Sequence, residues 1–198
     1  MRSKDDERQT TMDLTPTPSQ TVGPYLHLGL TDARSVSRIA GDGTKGERMW
    51  LTFRVLDGEG GPVPDAMIEL WQADSEGSYT HQHSSANGSP FRGFGRLATA
   101  EDGSCIFETI RPGCVAGPGE TVQAPHINVS ILGRGILKRL STRVYFAGEP
   151  ANAADPILAL VPQNRRAVLL AQPDAARASH WIFDVRLRGE GETVFFDV

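Results

Sequence analysis

From Trp50 onward the chain is cut into short apolar runs that end at Gly, Pro or Asp, and this punctuation leaves little choice of fold. Trp50 to Leu56 alternates and is followed by Asp57-Gly58 and Gly60-Gly61-Pro62, a strong turn signal. Ala66–Gln72 and Phe91–Thr99 are the next runs, and Glu101-Asp102-Gly103 turns the chain into Ser104–Ile110. Ile127–Leu132, Leu140–Phe146, Trp181–Leu187 and a final stretch from Thr193 to Asp197 complete the set. Only Gln163 to Ala171, opened by Pro162, reads as a helix. Many short strands and one short helix predict an all-β protein with an antiparallel β-sandwich core.

The region before Trp50 has a different texture. Residues 31–48 read as a polar loop with Gly41, Gly43 and Gly46. In Leu14–Leu30, Pro16, Pro18 and Pro24 together with Gly23 and Gly29 argue against a helix. Val22, Tyr25, Leu26 and Leu28 still give this stretch something to bury, so an extended arm docked on its own domain or on another chain is expected. Residues 1–13 are polar and charged, a frayed tail. The expected organisation is a tail and arm over 1–30 and a β-sandwich domain over 31–198.

Composition narrows the partners. The net charge of -4, with scattered Lys and Arg, argues against a nucleic-acid partner. No apolar run reaches the roughly 18 residues that span a bilayer, and Met1 to Thr11 lacks the apolar segment of a secretory signal. Cys105 and Cys114 are then expected to be free thiols in a reducing cytoplasm.

Candidate chemistry is sparse. His81 and His83 have the spacing with which a strand holds one metal between two imidazoles, but they sit in a polar stretch without strand texture. His126 opens the run HINVSIL, and the residue two positions on is Asn128. His27 and His180 have no ligand-like neighbours. There is no nucleophile elbow, phosphate loop or dinucleotide fingerprint. Composition and spacing therefore stop at a soluble β-sandwich of undefined role.

Seven segments go further: TPSQTVGPYLHLGL (17–30), IELWQADSEGSY (68–79), FGRLAT (94–99), TIRPGC (109–114), APHINVSI (124–131), RVYF (143–146) and FDVRLRGEGETVFFD (183–197). In order and spacing they resemble the intradiol ring-cleaving dioxygenases, and more narrowly the α-type chains of the αβ class that acts on protocatechuate. The resemblance implies a β-sandwich that, in catalytic chains, holds Fe(III) by two tyrosinates and two histidines. Phenolate is a hard anionic donor suited to a ferric ion.

Carried over residue by residue, the first tyrosine position is Tyr79 and the second is Val115. The two histidine positions are His126 and Asn128, and a usual arginine position is Gln123. The resemblance thus implies a vestigial site at Tyr79, Val115, His126 and Asn128 that binds no metal. Fe(III) is then held by a homologous β subunit, the partner in an αβ heterodimer and higher oligomer. That subunit's iron cleaves protocatechuate with O₂ to 3-carboxy-cis,cis-muconate. It further implies that Thr21, Gly23, Pro24 and Tyr25 of the arm, together with Arg134, help wall the pocket for this small aromatic acid.

Gly23 and Pro24 offer a bare backbone and a rigid turn for close approach, and a guanidinium suits a carboxylate. Two other readings stand beside this one. The first is a self-sufficient enzyme in which Cys114, His81 or His83 replaces the lost ligands. The second is a non-catalytic, transthyretin-like binding module.

Overall fold

A computed structural model of the chain describes residues 21–23, 26–32, 34–79 and 90–197. Pro24, Tyr25, His81 and His83, all singled out above, lie outside the described residues. Among the described residues ten strands follow one another: β1 (Arg48–Leu56), β2 (Met67–Gln72), β3 (Phe94–Ala98), β4 (Ser104–Ile110), β5 (Val115–Ala116), β6 (Val122–Gln123), β7 (Ile127–Leu132), β8 (Leu140–Phe146), β9 (Leu170–Pro173) and β10 (His180–Arg186). Eight of them form one sheet in the order β3-β2-β7-β8-β9-β10-β1-β4, and β5 and β6 pair separately.

The large sheet is two four-stranded halves joined by a short seam, in which Tyr145 and Phe146 of β8 pair with Leu170 and Ala171 of β9. Alternation decides which side chains go inside: in β7 every second residue is buried, beginning with Ile127. The buried faces of both halves meet in one cluster that includes Leu51, Phe53, Ile68, Leu70, Phe107, Val129, Val144 and Phe183. The Phe53 ring meets Phe107 and Phe183 edge-on at 5.8 and 5.9 Å. Where the outer strands β3 and β4 approach, a Cβ on Gly95 would lie 2.9 Å from the Phe107 ring, so a side chain there would push the halves apart.

The all-β class is as expected, and several details differ. Two pairings are parallel, β1 with β10 and β8 with β9. Residues 31–48 are more than a polar loop, because Ile39 and Ala40 are fully buried and bridges tie Val36, Arg38 and Ala40 to Arg96, Glu108 and Phe91. Glycine-rich texture hid this strand-like edge. The helix expected over Gln163–Ala171 is a 3₁₀ helix over Gln163–Leu169, and the chain then runs straight into β9. Two further 3₁₀ segments cover Pro150–Ala154 and Leu158–Leu160.

The arm is not extended throughout. His27–Asp32 forms a π-helical turn, which no proline interrupts once Pro24 has been passed. The run Thr193–Asp197 is not a strand of its own: it makes a single bridge, Phe196 to Ser141, and Val194 O accepts from the Thr142 hydroxyl. It reaches β8 there because β9 pairs with β8 only at Tyr145 and Phe146, which leaves the edge near Ser141 open.

Candidate functional site

Just past the end of β2 the chain makes a tight turn over residues 74–78. The Asp74 carboxylate accepts from the amides of Glu76 and Ser78, both at 2.9 Å, and the Asp74 carbonyl accepts from Gly113 N at 2.8 Å. Gly77 carries φ +82°, and a Cβ there would fall 1.8 Å from Cys114 O. Only glycine lets this turn lie flat against the backbone of Cys114 and Val115. The turn returns the half-buried Tyr79 to stack on Trp71, with ring centroids 6.2 Å apart and planes 6° apart.

His126, 1% exposed, stands immediately before β7, and Asn128 lies in that strand opposite Trp71 on one side and Arg143 on the other. The three side chains form one directed hydrogen-bond chain. A carbonyl can only accept, so the 2.7 Å contact of His126 Nδ1 with Ala124 O fixes the proton on Nδ1. His126 Nε2 is then an acceptor, and the Tyr79 hydroxyl donates to it at 3.2 Å. Asn128 Nδ2 in turn donates to the Tyr79 oxygen at 3.0 Å.

Burial, the larger influence, raises the Tyr79 phenol above its ordinary value, against the lowering effects of the Asn128 bond and the Arg143 charge. Burial likewise lowers His126, with the Ala124 bond opposing it and Arg143 assisting. Both groups are therefore neutral at neutral pH. Of the four positions, Asn128 offers an amide that donates to the phenol oxygen and the buried Val115 offers a hydrocarbon, so two of the four donors are lost and the set does not fit a ferric ion. The positive Arg143 close by disfavours one further.

Protonating His126 would break the Tyr79 bond and place a cation in the interior. Its folded-state value lies below the unfolded value of about 6.5, so as pH falls the unfolded chain takes the proton first. This contribution to stability is complete above about pH 6.5 and is lost as pH falls towards the folded-state value. Urea midpoints measured between about pH 7.5 and about pH 5 are expected to drop on acidification. The drop should be smaller in His126→Asn, and an unchanged slope in that variant would assign the effect elsewhere.

Thr21 and the turn around Arg134 are also brought together. Gly135 N donates to Thr21 Oγ1 at 2.9 Å, and Gly135 has φ +79°. Arg134 is exposed, and nothing lies within 4 Å of the place a Gly23 Cβ would occupy. This cluster sits just beyond one end of β7, whereas His126 and Asn128 sit at the other, about 17 Å away along the strand. Cys114 is exposed, and Cys105 is buried with its thiol pushed up to about 12.

Two participants carry no sequence signal of ligand type. Arg143 donates to Gln123 Oε1 at 2.7 Å, so the glutamine at the usual arginine position holds an arginine from β8. The buried Asp155 accepts from Ala124 N at 2.7 Å and from the Tyr145 hydroxyl at 3.0 Å, fixing the segment that presents His126.

With this geometry in hand, the comparisons with known proteins are specific. A family model described as dioxygenase matches residues 21–189. The protocatechuate 3,4-dioxygenase alpha chain of Burkholderia cepacia is 46% identical over 195 residues, which cover 92% of this chain and 97% of that one. The beta chain of the same enzyme from that organism is 37% identical over 158 residues, 75% of this chain and 67% of the beta chain. Among solved structures, the dioxygenase domain of a carbohydrate-binding fusion from Streptomyces sp. SirexAA-E superposes with TM-score 0.60 at 27% identity, covering 88% of this chain and 99% of that one.

Proposed function

The chain belongs to the intradiol ring-cleaving dioxygenase family, and from that premise we propose that it is the iron-free alpha subunit of a protocatechuate 3,4-dioxygenase. The observation that carries this reading is the closed chain Asn128–Tyr79–His126–Ala124, which satisfies with hydrogen bonds the positions where a catalytic chain needs metal donors. The Fe(III) then belongs to a homologous beta subunit, and the likeness of the Burkholderia cepacia beta chain to this chain over 158 residues supports a paired αβ unit. Together the two cleave protocatechuate with O₂ to 3-carboxy-cis,cis-muconate.

This chain's contribution is the wall and the charge around the partner's pocket. Thr21, Gly23, Pro24 and Tyr25 of the arm, with Arg134, meet the aromatic acid there, the guanidinium facing its carboxylate. The contact between Thr21 and Gly135 supports treating arm and Arg134 as one unit, and their place at the far end of β7 from Tyr79 favours service to a pocket in another chain. Residues 1–30 act as tail and arm and 31–198 as the β-sandwich domain, in the cytoplasm. Among the described residues, no helix is long and apolar enough to cross a membrane.

Iron content and visible absorbance of the chain expressed alone and with its beta partner test this reading. A colourless, iron-free lone chain, with colour and ring cleavage appearing only in the complex, is the expected result. Stoichiometric ferric iron with a tyrosinate charge-transfer band in the lone chain would overturn it.

A further inference from the structure

The half-sheet β9-β10-β1-β4, which carries none of Tyr79, His126 or Asn128, has an outer face of its own. In β10 the alternate residues Phe183 and Val185 are buried in the core, so Ile182, Asp184 and Arg186 point outward. Register sets Arg54 of β1 beside Asp184 on one side of β10, and β9 pairs on the other. A groove of about 330 Å³ opens here, at the lower end of the size range of small-molecule sites. Ile182 and Leu170 line it from the sheet, and Ala167 and Val168 from the 3₁₀ segment Gln163–Leu169.

Three charged groups stand in this groove, and one positive charge is left over. The Arg54 guanidinium grips the Asp184 carboxylate in a fork, Nη2 donating to Oδ2 at 2.7 Å and Nε to Oδ1, so each answers the other. Arg186 is fixed through its backbone, whose amide donates to Thr193 Oγ1 and whose carbonyl accepts from Thr193 N, both at 3.0 Å. Among the described residues no carboxylate pairs with its half-buried side chain. Asp57 on the adjoining turn is committed to the amides of Glu59 and Gly61, at 2.9 and 2.8 Å. Two glycines with positive φ flank the guanidinium: a Cβ on Gly60 would lie 3.6 Å from Nη1, and one on Gly191 3.8 Å from Nε. Its donors are therefore left uncovered by side chains there, and a partly desolvated guanidinium without a counter-ion favours an anion.

We propose that this groove binds a short-chain aliphatic monocarboxylate, with the carboxylate on Arg186 and the tail against Leu170, Ile182 and Val168. One unanswered positive charge calls for a monoanion, and a dianion would put excess negative charge beside Asp184. A planar carboxylate accepts two parallel bonds from a guanidinium, which a halide cannot do. The apolar side chains of the groove are aliphatic apart from Phe183, which is 1% exposed, so they offer a tail contact area and no ring to stack on. The site uses none of the residues assigned above to the partner's pocket, and it does not depend on whether this chain holds iron.

An NMR titration of the isotope-labelled full chain with hexanoate tests it, with hexanamide as the neutral isostere. The backbone amides of Ile182 and Gly191 are expected to shift saturably with a midpoint below about 10 mM, and hexanamide to bind at least about tenfold more weakly. Arg186→Gln should weaken hexanoate at least about tenfold. Ala167→Phe, at an exposed position, fills the groove and leaves the guanidinium in place, and it should weaken hexanoate to a similar degree. The exposed Lys45→Gln, outside the groove, should bind as the parent does. Equal affinity for hexanamide, unchanged binding in either groove variant, or no saturable shift up to about 10 mM would overturn the proposal.

Discussion

Asp155→Ala is expected to lower the stability of the folded chain by about 4 kcal/mol and to release the segment that presents His126. The carboxylate is 1% exposed and is the acceptor for Ala124 N at 2.7 Å, the Tyr145 hydroxyl at 3.0 Å, Ile157 N at 2.9 Å and Leu158 N at 2.7 Å. Each buried donor left without an acceptor costs about 1–3 kcal/mol. Ile157 is only half-buried and can reach water, so the sum is taken low in that range. Asp155→Asn keeps the shape and one acceptor oxygen, and about half the loss is expected. Urea denaturation read by fluorescence measures both variants. A loss under about 1 kcal/mol for Asp155→Ala would mean that these contacts are not what holds the segment.

Gly77→Ala is the second large effect, with a loss of at least about 3 kcal/mol. Two costs add at this position. A left-handed backbone burdens an L-residue by about 1–2 kcal/mol, and the new Cβ would lie 1.8 Å from a backbone oxygen, that of Cys114, which cannot swing aside. Gly43→Ala separates the two costs: its φ is +79°, yet nothing lies within 4 Å of its Cβ position. It should show the backbone cost alone, about 1–2 kcal/mol. Since the Gly77 turn delivers Tyr79, the larger substitution should also weaken the near-ultraviolet dichroism from the Trp71–Tyr79 stack. Equal losses at the two glycines would show that the turn moves freely off Cys114.

The seven longest strands were legible in the sequence because period-two alternation records a buried face directly, whereas the short β5, β6 and β9 left no run of alternation to read. Ile39 and Ala40 escaped because their backbone bonds are isolated bridges in a glycine-rich stretch, with no run of alternation around them. The last apolar run, Thr193 to Asp197, had strand chemistry but only a short open edge on which to pair. Parallel pairing was invisible, since the same residues would serve either direction. At the candidate site, His126 with Asn128 two positions on stood out from the residues themselves, and Tyr79 only through resemblance to a ligand pattern. Arg143 and Asp155 act through geometry that spacing does not encode. Asp155 precedes Pro156 and caps the turn at Leu158, and an Asp before a proline was the one available hint.

The parallel pairing of β1 with β10 has a consequence for how the chain is made. Arg54 in β1 bonds Asp184 in β10, a sequence separation of 130. During synthesis β1 leaves the ribosome long before its neighbour exists, and it waits with Leu51 and Phe53 uncovered and one edge unpaired. Contacts this distant also slow folding once the neighbour arrives. The nascent chain is therefore most prone to aggregate in the interval before His180–Arg186 are made, and chaperone occupancy should peak there. Premature termination upstream of His180 leaves an open template for other chains rather than a slightly smaller domain.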